Sequence, residues 1–199
     1  MRSPLHPFGL DALAKPADAS CGVWANEVQG LGYISLRGNS SDGKFTDAVS
    51  GALGIPLPVA PCTFASSGST KVLWLSPDEW LIVTPRERLA EFLQLFITAL
   101  SGIRSQVTDN SGGYTQVIVE GRNASQVLAH ATVYDLHALT PGRVVGTTFG
   151  KSSLYVHQQG DAYCLILRRS FADYIWRYLV RAAQPYGFGV ARLENGDSA

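Results

Sequence analysis

The feature that most constrains the fold of this chain is an internal repeat. Gly32-Tyr33-Ile34-Ser35-Leu36-Arg37-Gly38 is an alternating stretch closed by a glycine, and Gly113-Tyr114-Thr115-Gln116-Val117-Ile118-Val119-Glu120-Gly121 is a second. Aligning Gly38 with Gly121 gives an offset of 83. Ala48 then falls on Ala131, and Asp78-Glu79-Trp80-Leu81-Ile82-Val83 on Asp161-Ala162-Tyr163-Cys164-Leu165-Ile166. An offset of 82 superimposes Leu89, Phe92, Leu93, Phe96, Ile97 and Leu100 on Phe171, Tyr174, Ile175, Tyr178, Leu179 and Ala182. Both sets follow the spacing of one buried helix face.

The units between these anchors agree as well. Phe45, Ala48, Val49, Ala52 and Leu53 form a short helical stripe, with Asp42 or Ser41 as its N-cap. Its counterpart begins at Asn123, with Gln126 in a capping-box position, and continues through Val127, Leu128 and Ala131. Lys71 to Leu75, Trp80 to Val83, Ser152 to Val156 and Tyr163 to Leu167 have strand character. Residues 21–28 and 104–108 offer a fourth strand to each half. The order strand, helix, strand, strand, helix, met twice, predicts an α+β fold of two pseudo-symmetric ferredoxin-like repeats. The expected divisions are an N-terminal arm at 1–20, repeats at 21–103 and 104–190, and a loose tail at 191–199.

Composition narrows the function. Sixteen Lys and Arg balance sixteen Asp and Glu, which argues against a general attraction to nucleic acid or to an anionic membrane. No apolar run approaches the ~20 residues of a membrane span. The N-terminus lacks the apolar core of a secretory signal, and three cysteines without short spacing suit a reducing cytoplasm. Charged residues make up 16% of the chain, below the usual ~25%. Arg outnumbers Lys 12 to 4, a bias found both where protein surfaces meet and in Arg-favouring genomes.

Catalytic patterns are weak. Gly146-Thr147-Thr148-Phe149-Gly150-Lys151-Ser152 is one residue short of a phosphate-binding loop and runs into a strand instead of a helix. Asp78 and Glu79 adjoin in Ser76-Pro77-Asp78-Glu79, where a hairpin turn is the better account. His6, His130, His137 and His157 are scattered without metal-ligand spacing. Asp109-Asn110-Ser111-Gly112-Gly113 is turn-rich. No catalytic, cofactor-binding or metal residue is therefore assigned. On the second long helix, Trp176, Ala172, Val180 and Ala183 lie on a flank outside the expected core stripe, next to the basic pair Arg168-Arg169. These six residues form the expected partner interface. Cover by the arm or by the other half is the competing account. On the interface reading, Trp176→Glu weakens assembly and leaves the isolated chain folded.

Several stretches also carry a family resemblance. Leu75-Ser76-Pro77-Asp78-Glu79-Trp80-Leu81-Ile82, Tyr134-Asp135-Leu136-His137, Gly150-Lys151-Ser152 and above all Arg168-Arg169-Ser170-Phe171-Ala172-Asp173-Tyr174-Ile175-Trp176 resemble the gamma subunits of bacterial heterotetrameric sarcosine oxidases. The resemblance spans roughly residues 31–187. It implies a fold related to the folate-binding aminomethyltransferases, and partners in the alpha, beta and delta chains of a complex that oxidatively demethylates sarcosine to glycine. It also implies that FAD, FMN, NAD and tetrahydrofolate belong to the other chains and that the gamma chain carries no catalytic residue. A related N-methyl amino acid dehydrogenase complex has a similar chain. A stand-alone folate-binding protein or aminomethyltransferase-like enzyme on the same fold is the rival. It needs an acidic group for the pterin, for which Asp109 and Glu120 are the nearest carboxylates in sequence to the second repeat's first strand.

Overall fold

In a computed structural model, residues 2–193 are described. A 3-10 turn at His6–Phe8 leads into the short helix α1 (Leu10–Leu13). Then come β1 (Val23–Val28), β2 (Leu31–Gly38), α2 (Gly43–Leu53), β3 (Phe64–Ser67), β4 (Thr70–Ser76), β5 (Glu79–Pro85), α3 (Leu89–Ala99) and β6 (Ser105–Asp109). The second half brings β7 (Tyr114–Glu120), α4 (Ala124–Ala129), β8 (Val144–Phe149), β9 (Ser152–Gln159), β10 (Ala162–Arg168), α5 (Ala172–Ala183) and β11 (Phe188–Val190). The fold is α+β, with the predicted order of elements repeated and one further strand after the first helix of each half.

One compact unit is Gly30–Gly112. Its sheet runs β3-β4-β5-β2-β6, antiparallel throughout. Without its edge strand β3, this is the ferredoxin-like arrangement, with β6 as the fourth strand. Ile34, Leu36, Val72, Trp80 and Ile82 meet Phe45, Val49 and Leu53 of α2 and Leu89, Phe92 and Phe96 of α3 in one core. Asp42 caps α2, its carboxylate accepting from the Lys44 amide at 3.0 Å. Gly38 ends β2 under the Phe45 ring, where a Cβ would lie 2.3 Å from ring carbons.

The other unit takes the chain up to Gln29 and again from Gly113. Its sheet runs β11-β1-β7-β10-β9-β8, with β11 parallel to β1 and the other pairs antiparallel. Alternate residues of these strands (Val117 and Val119, Leu154 and Val156, Leu165 and Leu167) pack against Val127 and Leu128 of α4 and Ile175 and Leu179 of α5. Asn123 stands at the α4 N-cap, but its side chain makes no cap hydrogen bond, so the expected capping box is not formed.

The fourth strands correct the expected repeat boundaries at 21–103 and 104–190. β1 precedes the first repeat yet pairs with β7, and β6 follows α3 and pairs with β2. Each thus completes the sheet of the opposite half from the one its sequence position assigns. The reason lies in the neighbours. β1 is buried along its whole length and needs a partner on each edge. Gly189 of β11 lets the Trp24 ring approach to where a Cβ would sit 2.3 Å away. Asn26 Nδ2 donates to the Ala191 carbonyl at 2.7 Å. Those partners lie more than 160 residues away, beyond any local pattern. The extra strands β3 and β8 also escaped the sequence reading. Each turns at a glycine with positive φ, Gly68 at 52° and Gly150 at 57°, and these two glycines obey the offset of 82.

Candidate functional site

The surface of α5 is where the sequence placed its interface, and the structure rearranges it. The buried face of α5 is Ala172, Ile175, Trp176, Leu179 and Ala183. Compared with the expected stripe it is rotated by about one position: Tyr174, Tyr178 and Ala182 are half-buried, and Phe171 is 44% exposed. Trp176 is only 3% exposed, so it is not an outward anchor. The physical cause is the arm. Leu5 and Leu10 insert into the same core, and the Phe8 ring lies 6.2 Å from Trp176. Phe188 of β11 meets Trp176 edge-on at 5.6 Å. Two of the chain's own segments therefore cover the second apolar strip.

The arm is fixed along its length. The Ser3 hydroxyl donates to the buried Glu27 carboxylate, which also accepts from Thr115 Oγ1 at 2.5 Å. Gln29 Nε2 donates to Asp11 at 3.2 Å. Lys15 N donates to the Val190 carbonyl at 3.1 Å, and Arg192 N to the Lys15 carbonyl at 2.8 Å. Ala191, the first residue of the expected loose tail, is buried and bridges to Lys15. Residues 194–199 of that tail lie outside the described residues.

Between the arm and α5 a groove of about 1020 Å³ remains open. Leu10, Leu13, Trp176, Val180 and Phe188 give it apolar walls. Lys15, Arg177 and Arg181 are its cations. Arg177 pairs with Asp173 at 2.9 Å, and that hydrogen bond and charge raise the guanidinium pKa above its ordinary value. Of the six expected interface residues, only Trp176 and Val180 line this groove. Ala172 and Ala183 are buried. Arg168 stacks over Tyr114 at 5.1 Å, and Arg169 Nη2 donates to the Arg2 carbonyl at 2.6 Å. Cover by the arm, the competing account from sequence, is what packs against Trp176, although the arm residues that do so were not singled out. Their signal was there, in Leu5, Phe8, Leu10 and Leu13 amid a Pro- and Ala-rich stretch.

The weak chemical motifs resolve into structural roles. Residues 146–152 form the β8–β9 hairpin. Pro77-Asp78 turns β4 into β5, and Asp78 accepts from Ser76 Oγ at 2.8 Å and Arg37 at 2.7 Å. These hydrogen bonds, Ser76 first and then Arg37, hold its carboxyl below the usual range. Asp109 accepts from the Ser111 hydroxyl at 2.5 Å and the Ser111 amide at 2.9 Å. Partial burial pushes Asp109 up, but the Ser111 bonds and the Arg86 charge outweigh it and leave its pKa lowered. Gly38-Asn39-Ser40-Ser41-Asp42-Gly43-Lys44 has the glycine spacing of a phosphate loop between a strand and a helix. Here Asp42 already places a carboxylate at the helix N-terminus, and the Ser41 and Asp42 amides bond back to Asn39. Among the described residues, no group of three or more His, Cys, Asp and Glu is placed to hold a metal, and no helix is long and apolar enough to cross a membrane.

Similarity to known proteins accords with this arrangement. The sarcosine oxidase gamma subunit of Arthrobacter sp. is 34% identical over 174 residues, which cover 85% of this chain and 83% of that protein. The gamma subunit of Corynebacterium sp. strain P-1 is 29% identical over 189 residues, 93% of this chain and 91% of its own length. Heterotetrameric sarcosine oxidase from Corynebacterium sp. U-96, solved with pyrrole 2-carboxylate, contains a chain that superimposes with a TM-score of 0.83. That match has 25% identity and covers 98% of this chain and 99% of the other. The glycine cleavage aminomethyltransferase T of Bartonella henselae shares the fold at a TM-score of 0.66 and 14% identity, over 94% of this chain and 58% of that one. The profile of the sarcosine oxidase gamma subunit family matches residues 37–184, and with these relatives it establishes that the chain belongs to that family.

Proposed function

We propose that this chain is the gamma subunit of a sarcosine-oxidase-type complex and acts there as an assembly element without catalytic residues of its own. The observation that carries this reading is the completeness of the likeness. Nearly the whole chain superimposes on nearly the whole of one chain of a heterotetrameric sarcosine oxidase. Its partners are then the alpha, beta and delta chains. FAD, FMN, NAD and tetrahydrofolate sit on those chains, and the complex works in the cytoplasm. The chain contributes a unit in which the arm and α5 already pack together, so little further ordering of these two segments opposes docking.

The folate-binding rival is less well supported. Asp109, one of its two candidate carboxylates, has an oxygen held by two hydrogen bonds from Ser111. The experiment is affinity purification of the tagged chain from its source cell. Other subunits carrying bound flavin, identified by mass spectrometry and visible absorbance, are expected to come with it. Recovery of the chain alone, together with micromolar tetrahydrofolate binding by calorimetry, would reverse the choice.

A further inference from the structure

We infer that the groove between the arm and α5 receives an acidic, apolar segment of a partner chain, an inference that rests on the gamma-subunit reading. Two observations define the occupant. The first is apolar: Leu13 is 59% exposed at the lip, above walls formed by Leu10, Trp176, Val180 and Phe188. Leu13 extends the concave apolar surface of the groove, and it is a contiguous apolar surface, not a lone exposed side chain, that marks an interaction site. The second is charge: Lys15, Arg177 and Arg181 line the groove, and no Asp or Glu does among the described residues. Among the described residues, Arg177 is ion-paired with the exposed Asp173, and the Lys15 charge also acts on Asp18, outside the groove lining.

Because the whole chain is electrically neutral, this positive field is local. It fits a segment that presents aliphatic or aromatic side chains flanked by Asp or Glu. A second copy of this chain is a poor occupant. A two-fold pairing across the groove would bring Lys15, Arg177 and Arg181 toward their own counterparts. The groove volume of about 1020 Å³ is at the top of the range for small-molecule pockets, about 300–1,000 Å³, and has room for several side chains.

The test co-expresses the whole complex with Leu13→Asp or Arg181→Glu in this chain and measures its retention by native mass spectrometry. Both positions are exposed, and Arg181→Glu keeps the test open should Leu13→Asp fold poorly. Each variant is expected to lower affinity roughly tenfold or more. Ile97→Asp, at a 64% exposed position on α3 outside the groove, is expected to assemble like wild type. Carbodiimide treatment of the wild-type complex is expected to couple Lys15 Nζ to an Asp or Glu of another kind of chain. Normal retention of both groove variants in a complex that wild type joins would overturn the groove and leave the gamma-subunit reading standing. Coupling of Lys15 only to a second copy of this chain would also overturn it. Failure of the wild-type chain to join any complex would overturn the gamma-subunit reading itself.

Discussion

Trp176 shows how one side chain changes role once its surroundings are known. On a bare helix it lies outside the core stripe, but in the folded chain it sits between Phe8 and Phe188. Trp176→Ala is therefore expected to cost about 3–5 kcal/mol in urea unfolding of the isolated chain. Trp176→Glu adds an unpaired buried charge and is expected to unfold the chain, not to leave it folded and merely unassembled. Retention of the native circular dichroism signal by Trp176→Glu would contradict this placement. Gly38 has a similar local meaning: Gly38→Ala drives a methyl into the Phe45 ring and should cost about 1–3 kcal/mol. Its repeat partner Gly121 has φ of 107° and also lacks room for a Cβ, which explains why glycine recurs there. Asp109 supplies a pH dependence. Its folded pKa is lowered, so its bonds to Ser111 stabilise the fold above the unfolded value near 3.9 and are lost as pH falls through the lowered value. Asp109→Ala is expected to flatten the decline in melting temperature below about pH 4.

At the scale of elements, the arm is the main gain over the sequence. Its two buried leucines, Leu5 and Leu10, contribute about 3–6 kcal/mol together when removed from water. Deleting residues 2–15 is expected to lower the melting temperature and to expose an apolar surface that binds a hydrophobic dye. An unchanged melting curve would show that the arm is not part of the core. The same elements show what the sequence could carry. The stripes of α2 and α3, the strands β4, β5, β9 and β10 and the hairpin at Pro77-Asp78 were legible because their signals are periodic or local. The partners of β1 and β6 were not, because strand character does not say which edge a strand joins. The α5 face was misplaced for a related reason. Its second apolar strip reads alike whether a foreign chain or the protein's own arm covers it. Of the candidate site, Trp176 and Val180 were visible from α5, whereas Lys15 and Leu13 came from the arm, whose cover of this strip was only the competing account.

At the scale of the whole molecule, the two repeats account for the apolar content as two separate cores, one in each unit. Two of the chain's twelve arginines, Arg177 and Arg181, stand over the apolar walls of the groove. The most direct measurement is native mass spectrometry of the complex purified through a tag on a flavin-bearing chain, with sarcosine-dependent peroxide formation assayed on the same sample. One copy of this chain per active assembly, and no bound flavin on the chain when it is released, are expected. A fully active complex that lacks this chain, with the chain itself found alone or as a homo-oligomer, would contradict this expectation.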